Sequence, residues 1–117
     1  MEVKTKGKEA NIGDTEKNKE ERLGGNIILS GFNLEPIEIV VVKKIIGHYA
    51  KKISEKIKYS EMKVTLKQSK KTNIFLHQIK AEITAGKIIT ADSENKNLYT
   101  ALSEALNKLY SQAEHKH

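Results

Sequence analysis

Cysteine is absent from the 117 residues, which excludes disulfide frameworks, thiolate nucleophiles and cysteine-ligated metals. That absence fits a reducing compartment. Long apolar runs are missing too: the longest, Ile37 to Val42, is broken by Glu38 and falls far short of the ~20 residues that cross a bilayer. The N-terminus has no apolar h-region of the signal-peptide kind, so the expectation is a soluble, cytoplasmic protein with no membrane partner. Arginine occurs once, at Arg22, which leaves the rest of the chain without an arginine cradle for acyl-phosphate chemistry. There are six aromatic residues in all, and the expected strands contribute only Phe75, which argues against a sheet that stacks successive bases. No nucleophile elbow surrounds any serine, and no phosphate-cradling loop of the GxxxxGK type occurs. His48 and His77 have neither a nearby carboxylate nor a second histidine at ligand spacing. The sequence therefore predicts no enzyme, no cofactor, no metal and no small-molecule substrate.

What the chain does have is lysine. Net charge is +6, and its distribution is uneven. Residues 1–25 carry six basic and six acidic side chains, whereas the rest carries fifteen lysines against nine Asp and Glu. The whole excess sits beyond residue 25. A polyanion is the natural partner for such a surface, the ordinary alternative being a solvated face that keeps the protein soluble.

Length gives room for one domain. Residues 1–25 show no apolar periodicity and no aromatic residue, and read as a disordered tail ending at Gly24-Gly25. Structure is expected from Asn26 to residue 117. Ile27, Ile28 and Leu29 suit a buried strand. Val42, Ile45, Ile46, Tyr49 and Ile53 then follow helical spacing, with Pro36 at a tolerated first-turn position. From Glu61 the period changes to two: Met62, Val64 and Leu66 form one strand, and Phe75, His77, Ile79, Ala81 and Ile83 a second. A hairpin at Ala85-Gly86-Lys87 leads to a third over Ile88–Ala91, and Asp92–Lys96 reads as a polar loop. Asn97 caps a last helix whose apolar stripe is Leu98, Ala101, Leu102, Ala105, Leu106 and Leu109. The predicted fold class is α+β, in the order β-α-β-β-β-α, with two helices on one face of a four-stranded sheet.

The order of elements, together with the run Ala91-Asp92-Ser93-Glu94-Asn95-Lys96-Asn97-Leu98-Tyr99-Thr100-Ala101-Leu102, resembles the ribosome hibernation-promoting and ribosome-associated inhibitor family (sigma-54 modulation proteins). Glu104-Ala105-Leu106-Asn107-Lys108-Leu109 is similar to that family's apolar-x-Lys-Leu turn. The chain departs from the pattern at Asn97, where Asp is usual, and at Ser111, where a further basic residue is common. It resembles the short, single-domain form. The resemblance implies a translation inhibitor that occupies the messenger and transfer RNA channel of the small ribosomal subunit, contacts ribosomal RNA through basic helix faces, and performs no chemistry.

The candidate RNA-binding residues are Lys43, Lys44, Lys51 and Lys52, expected together on the face of the first helix opposite its apolar stripe, with Lys108 at the family's basic position and Lys116 at the C-terminal end. Lysine suits phosphate contact because it is a flexible point charge that needs no bidentate geometry. Lys63, Lys67 and Lys80 are expected on the sheet face away from the helices, and Tyr99 is expected to pack at the helix–sheet edge. Two other readings stay open: a module for structured, double-stranded RNA, whose core also has a three-strand meander and a packed helix, and a protein-interaction module on which the lysines are incidental.

Overall fold

The computed structural model describes residues 20–24 and 26–116, without the side chains of 115 and 116. Seven elements follow one another: β1 (Glu20–Gly24), β2 (Ile27–Ser30), α1 (Pro36–Ser54), β3 (Glu61–Lys71), β4 (Ile74–Thr84), β5 (Ile88–Asn95) and α2 (Leu98–Lys116). The strands form one sheet in the order β1-β2-β3-β4-β5. Every neighbouring pair is antiparallel except β2 and β3, which run parallel because α1 carries the chain back between them.

Local chemistry sets each boundary. Glu35 precedes α1 in an extended conformation, Pro36 opens the helix where no backbone N–H is needed, and the Glu35 N–H donates to Glu38 Oε1 at 3.0 Å. Lys51 and Lys52 fall in the last turn, where the helix dipole favours cations. Asn97 caps α2 as its sequence position requires: Asn97 Oδ1 accepts from the Thr100 N–H at 2.9 Å. Gly86 turns the β4–β5 hairpin at φ 79°, a conformation that glycine adopts without strain.

Both helices pack on one face of the sheet, as expected. Val42, Ile46 and Ile53 from α1 and Leu102, Leu106 and Leu109 from α2 are fully buried against Val64, Ile79, Ala81 and Ile83. The alternation in β3 and β4 places Met62, Val64 and Leu66 opposite Ile83, Ala81 and Ile79 on that face. Lys63 and Lys80 point the other way.

Three features differ from the expectation. The sheet has five strands, because Glu20–Gly24 pairs with β2 instead of belonging to a tail. Its sequence has no apolar alternation, and it is held from outside itself, by the β2 ladder and by two ion pairs of opposite orientation: Glu21 with Lys43 of α1 at 3.1 Å and Glu20 with Lys63 of β3 at 3.0 Å. The rest of the expected tail, residues 1–19 and 25, lies outside the described residues. Second, Asp92–Asn95 continues β5 instead of forming a loop. Its polar side chains have structural partners, since Ser93 Oγ donates to the Ala101 carbonyl and Asn95 Oδ1 accepts from the Asn97 N–H at 2.9 Å. Third, Lys70-Lys71 extends β3, so the connector shrinks to the two-residue turn Thr72-Asn73.

Candidate nucleic-acid interface

An α-helix advances about 100° per residue, so Lys44 and Lys51, seven residues apart, lie within about 20° of each other, whereas Lys43 and Lys52, nine apart, lie on opposite flanks. The four lysines therefore do not share one face. Lys44 and Lys51 are exposed on the outside of α1, and among the described residues neither has an ion-pair partner. Lys43 faces the β1 edge and is paired with Glu21. Lys52 turns toward α2, with its ammonium 4.7 Å from the centroid of Tyr110 and 5.4 Å from that of Tyr49. The Tyr110 contact ties α1 to α2, and just past the end of α1 Lys56 lies 3.6 Å from Glu114 of α2. The expectation of a single basic face thus reduces to a pair of outward lysines and two lysines engaged in packing.

On α2 the outward residues are Thr100, Glu104, Asn107 and Ser111, with no cation among them. Lys108 stands on the flank toward β5, and its Nζ donates to the Asp92 carbonyl at 3.0 Å. Gln112 does the same to the Thr90 carbonyl at 2.8 Å. The exposed Lys108 is thus anchored along the outer edge of β5, with its charge still open to solvent. The Lys116 side chain lies outside the described residues.

The sheet face away from the helices is mixed in charge. Lys63 is paired with Glu20, and Lys80 lies 3.7 Å from Glu82. Beyond Lys80 the balance changes. β5 sets Asp92 beside Lys80 and Glu94 beside Gln78, but from Met62 to Ala81 the β3–β4 hairpin itself has five lysines and no acidic residue, and Lys70 and Lys71 lie at its tip, where β3 and β4 extend past their neighbours. Sequence reasoning missed this ribbon because Lys70-Lys71 reads locally as a connector.

Next to the ribbon, the first turns of α1 and α2 meet it around a cleft of about 460 Å³ whose lining includes Glu38, Gln68, Phe75, His77, Lys96 and Tyr99. His77 Nδ1 lies 3.1 Å from Gln68 Nε2, and its ring meets Phe75 edge-on at 5.4 Å. Burial holds the His77 imidazole below its ordinary pKa, partly offset by the Glu38 carboxylate. Tyr99 is partly buried against the core, as expected of a helix–sheet edge residue. Among the described residues no group of three or more His, Asp or Glu side chains could hold a metal ion, and no helix is long and apolar enough to cross a membrane.

The same arrangement of strands and helices occurs in solved structures. The N-terminal domain of Thermus thermophilus Protein Y matches with a TM-score of 0.51 at 15% identity, over 78% of this chain and 93% of that one. A ribosomal subunit interface protein from Coxiella burnetii matches with a TM-score of 0.53 at 14% identity, over 77% of this chain and 92% of that one. Comparison with curated protein sequences gives no match. At such identities the structural likeness speaks for the fold alone, but residues 33–117 also match the family model described as sigma 54 modulation protein / S30EA ribosomal protein, which spans α1 to the C-terminus and shows that this chain belongs to that family.

Proposed function

We propose that this chain is a translation inhibitor of the hibernation type, acting in the cytoplasm, which binds the small ribosomal subunit through ribosomal RNA in the messenger and transfer RNA channel. The observation that carries the reading is the family match over residues 33–117. Charge supports it, since the whole +6 excess lies outside residues 1–25. The proposed phosphate contacts are Lys44 and Lys51 on the outside of α1 and Lys108 on the flank of α2, with Lys43 and Lys52 in supporting positions and Lys116 extending the same end. Binding alone accounts for inhibition: a protein seated in the channel excludes the ligands that translation needs, and no bond is made or broken.

Co-sedimentation of the purified chain with small ribosomal subunits tests this, at low and moderate salt, with and without bound messenger and initiator transfer RNA. The expected result is stoichiometric pelleting that falls with salt, as counterion release requires, and that the bound RNAs suppress. Pelleting that persists unchanged in the presence of both RNAs refutes the channel. Absence of pelleting at either salt refutes the ribosome as partner.

A further inference from the structure

The β3–β4 ribbon is an unusual piece of surface. β2 pairs with β3 only as far as Thr65, and β5 pairs with β4 only from His77, so residues 69–76 have no sheet neighbour other than each other. This arm exposes two large apolar side chains, Ile74 at 50% and Phe75 at 49%, beside Lys67, Lys70 and Lys71, for which no acidic partner stands among the described residues. Lysine along a free strand edge guards against strand addition. Guarding does not account for Phe75. Its cross-strand partner is Lys70, so the two side chains leave the helix face of the ribbon as neighbours. The ring is braced edge-on by His77, itself tied to Gln68, and it forms one wall of the cleft that Lys96 and Tyr99 also line. Two carboxylates, Glu35 and Glu38, line the α1 side of the same cleft, and Glu38 accepts from the Glu35 N–H, so the cations that face the ring are Lys70 and Lys96 on its other sides.

A fixed aromatic face flanked by cations is the arrangement that binds single-stranded RNA, where a base stacks on the ring and its flanking phosphates meet the lysines. We propose that the β3–β4 ribbon is a second RNA contact, separate from the outer face of α1: an unpaired base stacks on Phe75 in the cleft, and Lys70 and Lys96 hold the phosphates on either side. The inference extends the RNA-binding reading above and places on the arm a preference for unpaired RNA that a lysine face alone does not have.

The test uses the full chain and two probes, a fluorescein-labelled twelve-residue oligouridine and a fully paired RNA duplex of the same length, titrated at low salt. Phe75 is half exposed, so Phe75→Ala should keep the circular-dichroism spectrum and melting temperature of the parent. It should weaken oligouridine binding at least about fivefold, the scale of one lost base–aromatic stack, while duplex binding stays within about twofold. Phe75→Tyr should restore it. Lys70→Gln with Lys71→Gln should weaken both probes. Unchanged oligouridine affinity in Phe75→Ala, equal losses on both probes, or no oligouridine binding by the parent each overturn the proposal. Parallel pelleting with small subunits separates the two readings. Oligouridine binding that depends on Phe75 without pelleting leaves the arm and removes the ribosome; pelleting with Phe75 inert does the reverse.

Discussion

The division of the α1 lysines into two classes gives a quantitative prediction. Replace Lys44 and Lys51 by glutamine in one variant, and Lys43 and Lys52 in another. Both lose two charges, so composition alone predicts identical behaviour. The structure predicts otherwise. Lys44 and Lys51 face solvent without ion-pair partners among the described residues, so their loss should leave stability within about 0.5 kcal/mol of the parent. If they contact phosphates, each contributes roughly 0.7–0.9 to the slope of log affinity against log salt, and removing both should flatten that slope by about 1.5. Between 50 and 200 mM salt, the loss of ribosome affinity should then be about eightfold smaller than for the parent. In the second variant, the exposed Lys43–Glu21 pair contributes about 0.2–1 kcal/mol, and Lys52 over two tyrosine rings about 0.5–1 kcal/mol for each contact. Lying on opposite flanks, the two losses should add, to a total of about 1–3 kcal/mol, with a smaller change in salt slope. Urea denaturation and salt-dependent co-sedimentation measure both quantities on both variants. Equal flattening of the slope by the two variants, with no stability difference between them, would refute the division.

Asn97→Ala removes the side-chain acceptor for the Thr100 N–H and should lower stability by about 1 kcal/mol, read from the urea midpoint, while Asn97→Asp should hold it. Thr72 opens the two-residue β3–β4 turn at φ 58°, a strained position for a β-branched residue, so Thr72→Gly should raise stability by about 0.5–1 kcal/mol in the same assay. Desolvation holds His77 below its ordinary value of 6.5, so the unfolded chain takes up the proton first. Stability should accordingly be intact above pH 6.5 and fall as pH drops through the folded-state value, and His77→Gln should abolish that component of a pH-dependent thermal melt.

The helices and the central strands were legible because their apolar residues repeat at 3.6 or 2 and their faces are buried in that same rhythm, as with Val42, Ile46 and Ile53 or Met62, Val64 and Leu66. β1 was not, because nothing in Glu20-Glu21-Arg22-Leu23-Gly24 announces a strand; its partners are 8 to 43 residues away in sequence, in Leu29, Lys43 and Lys63. The end of β5 was masked in a different way. Ser93 and Asn95 look like loop residues because they serve the start of α2, Ser93 donating to the Ala101 carbonyl and Asn95 accepting from the Asn97 N–H. For the interface, lysine count was readable and lysine direction was only partly so: residues 43, 44, 51 and 52 look like one cluster in the sequence, yet helical geometry sends two outward and turns two toward tyrosine and glutamate.

The parallel pairing of β2 with β3 has a kinetic meaning. Ile27 meets Met62 only after the intervening 34 residues, α1 among them, have been looped back, a closure that costs about 3 kcal/mol of chain entropy, against about 1 kcal/mol for the β4–β5 hairpin closed by Thr84 and Ile88. The meander and α2 can therefore assemble from local contacts, while β2, with β1 hydrogen-bonded in the sheet to it alone, docks at the end. In the native protein the order reverses. The first two strands are the unit that detaches at least expense, so Leu29 should exchange its amide hydrogen ahead of Ile79, Ala81 and Ile83, and the N-terminal edge of the sheet is where this molecule begins to come apart.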